Sequence, residues 1–195
     1  MMVKNIMLGG VGGQGLVMTT AIISEAAFLA GFDVKTNDVI GLSQRGGKVW
    51  GSVRYGEEVF SPNIAPGRAD VLLALEALEG LRWSGFVKAG GVVILNTAKI
   101  PPVPVITEKA AYPEDIEGLI AGDGQRAVEV RAVNALEEAR KLGNLKVVNM
   151  VTIGMLSAVL EDIPVDCWRQ AIEAHVPEKT LALNLKAFDL GREIR

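Results

Sequence analysis

The chain of 195 residues has one cysteine, one histidine and only 5% aromatic residues, and each scarcity excludes something. Cys167 alone cannot form an internal disulfide, and it cannot by itself supply a four-cysteine iron–sulfur cluster or zinc site. A reducing cytoplasm is the expected compartment. No block of Lys or Arg stands out at a net charge of −3, which argues against a nucleic-acid partner. No charged start with a cleavable apolar stretch is present, and no apolar run reaches the ~18 residues needed to cross a bilayer. Linkers, repeats and low-complexity tracts are also missing. With 49% apolar residues and few aromatics, the core must be built of Val, Ile, Leu and Ala, as in sheets buried on both faces.

Glycine is abundant, and its placement is informative. Gly9-Gly10-Val11-Gly12-Gly13-Gln14-Gly15 follows the apolar run Val3 to Leu8 and precedes a helical pattern over Leu16 to Ala30. From Gly10 it fits G-x-G-x-x-G, where a strand turns into a helix whose first N–H groups can face an anion. A dinucleotide site would also need an acid closing the second strand, read here as Phe32 to Lys35. Asp33 comes too early, and Asp38 is expected in the following loop. Packing of a ligand-free crossover, and an anionic ligand or partner other than a dinucleotide, remain as alternatives for the glycine loop.

Further strands are expected over Lys48 to Arg54, Asp70 to Leu75, Val92 to Leu95 and Ala127 to Arg131. Tyr55-Gly56-Glu57-Glu58 is read as a turn into Val59-Phe60, making a hairpin. Helices are expected over Glu76 to Phe86, Pro113 to Ile120, Ala132 to Leu142, Val147 to Leu160, Asp166 to Ala174 and Glu178 to Ile194. Pro101-Pro102-Val103-Pro104 is read as an extended connection. Alternation of strand and helix across residues 1–195 predicts one α/β domain, a single doubly wound, mostly parallel sheet with helices on both faces and a β-hairpin insertion.

Three further features carry possible chemistry. Gln44-Arg45-Gly46-Gly47 lies in a loop where an arginine beside glycines can offer its forked donors to a carboxylate or phosphate. Its alternative is a solvated loop. Asn149 is a polar residue inside an apolar helix, so it either holds neighbouring backbone or faces a site. Gly122-Asp123-Gly124 follows a helical stretch and reads as a helix-ending turn rather than a thiamine motif. His175 is expected to be a surface or capping residue, and Cys167 a small core residue.

Taken together, Gly10-Val11-Gly12-Gly13-Gln14-Gly15, the Gly41-x-x-Gln44-Arg45-Gly46-Gly47 loop, the Ala69 to Ala74 strand and Val148-Asn149-Met150 resemble the gamma subunit or domain of 2-oxoacid:ferredoxin oxidoreductases. The resemblance covers essentially the whole chain. It implies a non-catalytic subunit of a cytoplasmic heteromer that converts a 2-oxoacid and coenzyme A to acyl-coenzyme A and CO2 while reducing ferredoxin. Thiamine diphosphate, magnesium and the iron–sulfur clusters are implied in a large alpha-type partner subunit, with no cofactor, metal or catalytic residue in this chain alone. Coenzyme A is implied near the interface, in the region the glycine loop faces, and Gly10, Gly12, Gly13, Gln14, Gly15, Gln44, Arg45, Gly46 and Asn149 are expected to face a ligand or the active site. Pyruvate-type relatives carry a lysine shortly after the glycine loop, where this chain has Leu16-Val17-Met18. Neither a nucleic acid nor a membrane is expected as partner, and the isolated chain is expected to pair with itself. The competing reading is a free-standing Rossmann-like protein that binds a nucleotide or small anion.

Overall fold

The computed structural model describes residues 2–39, 47–99, 112–122 and 127–194. Six strands form one mixed sheet: β1 (Lys4–Val11), β2 (Asp33–Val39), β3 (Lys48–Gly56), β4 (Ala69–Ala74), β5 (Val87–Asn96) and β6 (Glu129–Val133). Their order is β2-β3-β1-β4-β5-β6. Strands β1, β4, β5 and β6 run parallel, while β3 lies antiparallel between β1 and β2. Side chains of the central strands are apolar on both faces, so both faces need covering. The helices are α1 (Leu16–Leu29), α2 (Ala77–Trp83), α3 (Ile116–Ala121), α4 (Ala135–Lys141), α5 (Val148–Val159), α6 (Val165–His175) and α7 (Glu178–Glu193). Ile6, Leu8, Val71 and Leu73 pack with α1 and α4 to α7 on one face. Met7, Leu72, Ala74 and Leu95 pack with α2 and α3 on the other. No helix among the described residues is long and apolar enough to cross a membrane.

The antiparallel insertion differs in detail from the expected hairpin. Val59 and Phe60 form no strand; Val59 is buried, and its N–H donates to Asp33 Oδ2 over 2.8 Å. The arm that pairs with β3 is β2, from Asp33↔Gly56 to Val39↔Trp50. It extends well past Lys35, because β3 supplies backbone partners for the polar residues Thr36 to Asp38 that their side chains alone do not announce. Asp38 therefore sits in the strand, opposite Gly51, rather than in a loop. Strand β5 starts at Val87 instead of Val92, with a register shift opposite Ala69 and Val71. The expected helix from Glu76 stops at Trp83 and tightens into a 3-10 turn over Ser84–Phe86. The Pro101 to Pro104 connection and the Asp123-Gly124 turn lie outside the described residues.

Helix α5 is buried from Asn149 through Ser157, as its nearly unbroken apolar sequence requires. Its packing on α7 depends on two glycines. A Cβ on Gly154 would lie 2.1 Å from the Phe188 carbonyl oxygen, and one on Gly191 would lie 2.0 Å from that of Val151. The two backbones touch there. On the opposite face Glu76 and Glu79 are both fully buried. Glu76 accepts from the Glu79 N–H (3.0 Å) and from the Tyr112 hydroxyl (2.5 Å), and Arg82 donates to Glu79 over 3.1 Å. Burial raises the Glu79 carboxyl above the ordinary carboxylate range, against the pull of Arg82. Burial, reinforced by the bond to Glu76, likewise raises the Tyr112 hydroxyl.

Gly154→Ala or Gly191→Ala should cost about 1–3 kcal/mol by overpacking, and so lower the melting temperature by about 2–12 °C. Gly85→Ala, where an added Cβ meets nothing within 4 Å, should leave it within about 2 °C. Glu79 holds its proton more tightly in the folded state than unfolded, so it removes stability as pH rises from the ordinary carboxylate pKa through the raised one. Chemical denaturation at pH 4.5 and 7 should show a smaller loss of stability over that window for Glu79→Gln than for the parent chain.

Candidate functional site

The glycine loop leaves the carboxyl end of β1 and is held by the side chain of Gln14. Its Oε1 accepts from the Val11 N–H (2.6 Å), and its Nε2 donates to the Leu75 carbonyl (2.9 Å). Leu75, just past β4, in turn donates its own N–H to the Gly9 carbonyl over 2.8 Å. The same Leu75 carbonyl accepts from Asn96 Nδ2 over 3.0 Å. Asn96 ends β5 and is 1% exposed; its Oδ1 accepts from the N–H groups of Ala98 (3.2 Å) and Ala135 (3.1 Å). Two carboxamides thus fasten the ends of β1, β4 and β5 and the start of α4 around one carbonyl. Buried amides are stable only when paired in this way.

Gly13 and Gly15 have φ of +99° and +77°, a region that strains residues with a side chain. An added Cβ on Gly13 would stand in open space, whereas one on Gly15 would approach Asn149 Nδ2 to 3.2 Å. The loop therefore reaches α1 with bare backbone. Gly15 caps that helix without any side-chain acceptor. Among the described residues, no acceptor takes the N–H groups of Gly13, Gly15 or Leu16. They carry the partial positive charge of a helix start.

Asn149, in the first turn of α5, donates from Nδ2 to the Gln14 carbonyl (2.7 Å), to Thr19 Oγ1 (3.1 Å) and, at the limit of bonding, to the Gly15 carbonyl (3.5 Å). Both sequence readings of this residue therefore hold a part: it ties backbone together, and it stands at a cavity. That cavity, about 390 Å³, is bounded by Gly13, Gln14, Gly15, Asn96, Lys146 and Asn149, with Met18, Leu136, Leu145 and Val148 as apolar walls. Gly10 stays outside it, packed beneath Gln14 and Leu75. Gly12 also stays outside, its N–H donating to the Gly47 carbonyl over 2.7 Å. Gln44, Arg45 and Gly46 lie outside the described residues, although Gly47, which follows them, is fastened to the loop by that bond.

Sequence reasoning did not single out Lys146, Leu136 or Leu145 as site residues. Only the position of Asn96 at a strand end was a visible signal. In a dinucleotide-binding fold β1 and β2 would be neighbours, but β3 separates them here. An acid at the end of β2 is thus two strand spacings, about 10 Å, from the glycine loop's strand. That displaces the ribose-holding position of a dinucleotide site. Asp33 is instead committed to Lys35 and the Val59 N–H, and the Lys35 bond lowers its carboxyl below the ordinary range.

Asp123 and Gly124 of the Gly122-Asp123-Gly124 segment lie outside the described residues. The sequence has one cysteine, and the described residues contain no group of three His, Cys, Asp or Glu that could hold a metal ion. His175 ends α6, and Cys167 is half-buried against the core.

Comparison with known proteins identifies the family. The family model described as "Pyruvate ferredoxin/flavodoxin oxidoreductase" matches residues 5–194. The chain is 37% identical over 191 residues to the indolepyruvate oxidoreductase subunit IorB of Thermococcus kodakarensis, covering 96% of this chain and 93% of the relative. It is 40% identical over 188 residues to IorB of Archaeoglobus fulgidus, covering 96% and 92%. The crystal structure of the keto/oxoacid ferredoxin oxidoreductase gamma subunit from Geobacter sulfurreducens PCA superposes with a TM-score of 0.72 at 26% identity, covering 97% of this chain and 96% of that one. A family match over nearly the full length, relatives near 40% identity and a shared fold together place this chain in the pyruvate ferredoxin/flavodoxin oxidoreductase family.

Proposed function

We propose that the chain is the small, non-catalytic subunit of a heteromeric indolepyruvate-type ferredoxin oxidoreductase. In that reaction the 2-oxoacid loses its carboxylate as CO2 and its acyl group joins the thiol of coenzyme A. Two electrons pass singly to ferredoxin. Near-full-length similarity to curated IorB subunits carries the reading. The residue inventory supports it: the chain offers no cluster ligands and no described metal-binding group, so the chemistry belongs to a large partner subunit that bears thiamine diphosphate, magnesium and iron–sulfur clusters.

This chain's own contribution is a wall. The glycine loop, Asn149 and the Gln44-Arg45-Gly46 segment close the active site of the partner near the coenzyme A entrance. Their part is to exclude water and to bind the anionic end of the coenzyme through backbone N–H groups and a cation. Apolar residues beside the cavity support a protein covering it: Val17 in the first turn of α1 is 48% exposed, and Leu145 on the cavity wall is 52% exposed. Phe28 and Phe60 form separate exposed apolar spots that allow the isolated chain to pair with itself. The assembly works in the reducing cytoplasm, where ferredoxin is its electron acceptor.

Co-expression with the large subunit should give a complex that survives gel filtration at micromolar concentration and oxidises indolepyruvate only when both chains are present. The isolated chain should be inactive and should bind neither NAD nor flavin at micromolar concentration in calorimetry. Separate elution of the two chains together with micromolar NAD binding would favour the free-standing nucleotide-binding reading instead. Within the complex, Arg45→Ala should lower turnover at limiting coenzyme A about ten-fold, one charge-assisted contact being worth about 1.5–3 kcal/mol. The melting temperature should shift by less than about 2 °C. Normal turnover of that variant would make Arg45 a solvated loop residue.

A further inference from the structure

We propose that a second cavity, at the far end of α5, binds a zwitterionic amino acid with an apolar side chain. It lies where the turn after α5 enters α6 and where α7 makes its last turn, and its volume is about 380 Å³. That is near the lower end of the range of small-molecule pockets, about 300–1,000 Å³. Ser157 bounds this cavity as Asn149 bounds the one at the glycine loop. Their separation along α5 is about 12 Å at the rise of a helix, and the two cavities share no bounding residue. The inference is independent of the proposed function.

Two opposite charges bound the cavity. Arg192, in the last turn of α7, is held on two sides. Its Nη1 donates to Ser157 Oγ over 2.8 Å, and its guanidinium carbon lies 5.9 Å from the centre of the buried Phe188 ring. Ser157 is 2% exposed and gives its own hydroxyl proton to the Gly154 carbonyl over 2.7 Å, so towards Arg192 it can only accept. Among the described residues the Nε and Nη2 donors of Arg192 have no acceptor. A guanidinium fixed in this way offers a fork to a carboxylate. Glu161, exposed in the turn after α5, is the one carboxylate that bounds the cavity. No cation among the described residues pairs with it. Its neighbour Asp162 is committed to the core, its Oδ1 accepting from the Tyr55 hydroxyl over 2.9 Å.

Arg192 and Glu161 thus line one space and form no ion pair with each other. A simple anion placed there would meet Glu161, and a simple cation would meet Arg192. A ligand that carries both charges satisfies each. Ile163, Pro164 and Val165 supply the remaining wall, which suits a hydrocarbon side chain.

The test titrates the full chain with leucine, with 4-methylpentanoate, which lacks the ammonium, and with 3-methylbutylamine, which lacks the carboxylate. Leucine should bind with a Kd of about 1 mM or tighter, and each truncated analogue about ten-fold more weakly. At about ten times its Kd, leucine should raise the melting temperature by about 3–6 °C. Glu161→Gln should weaken leucine and 3-methylbutylamine about ten-fold and leave 4-methylpentanoate unchanged. Arg192→Gln should weaken leucine and 4-methylpentanoate about ten-fold and spare the amine. Glu161 is exposed and unbonded, so its variant should fold like the parent and decides the matter even if Arg192→Gln, which loses the Ser157 bond, does not fold. Absence of saturable leucine binding, or leucine binding unchanged by Glu161→Gln, would overturn the inference. Because the chain alone is titrated, assembly with a large subunit does not enter the result.

Discussion

The carbonyl oxygen of Leu75 is the point on which the site depends. It receives Gln14 from the glycine loop and Asn96 from the end of β5, while the Leu75 N–H holds Gly9 in β1. Strand ends are where chains diverge into loops, and loops with unpaired backbone do not stay buried. Here two carboxamides, each bonded through both its oxygen and its nitrogen, convert three diverging strand ends into a fixed rim. Asn149 then clamps α5 to the carbonyl of Gln14 itself, so the side chain and the backbone of one glutamine are held from opposite sides. The cavity is preorganised by these bonds.

The same geometry explains why a glycine loop of dinucleotide type need not signal a dinucleotide. Backbone freedom at Gly13 and Gly15 serves close approach by any partner. What makes such a loop a nucleotide site is the acid on the adjacent strand, and insertion of β3 next to β1 removes that adjacency. Gly47 instead returns beside the loop and accepts the Gly12 N–H. The topology exchanges a ribose contact for an anchored loop edge.

Much of this was legible in the amino-acid order. Continuous apolar runs such as Val71-Leu72-Leu73-Ala74 can only be strands buried on both faces, and the Val147 to Leu160 pattern can only be a surrounded helix. Asn149 stood out because a polar side chain inside an apolar helix demands partners. Strand β2 was underestimated because Thr36, Asn37 and Asp38 are poor strand formers, stabilised here by pairing with residues thirteen to seventeen positions away. Val59 and Phe60 were misread for the converse reason: apolar residues after a turn need not find a strand to join, and β1 already occupies that edge of β3. Lys146 gave no local signal, since a cation between a turn and an apolar helix reads as a solvated charge until the fold brings it to the cavity that the glycine loop also lines.

The central claim is that the rim formed around Leu75 is the surface closed by the partner subunit. Hydrogen–deuterium exchange, comparing the chain alone with the assembled complex, tests it most directly. The account predicts that slowed exchange on assembly is concentrated in the N–H groups of Gly13 to Met18 and of Leu145 to Asn149. The distal ends of α1 and α7 should exchange as before. Unchanged exchange in those two segments, with protection confined to other surfaces of a stable complex, would contradict it.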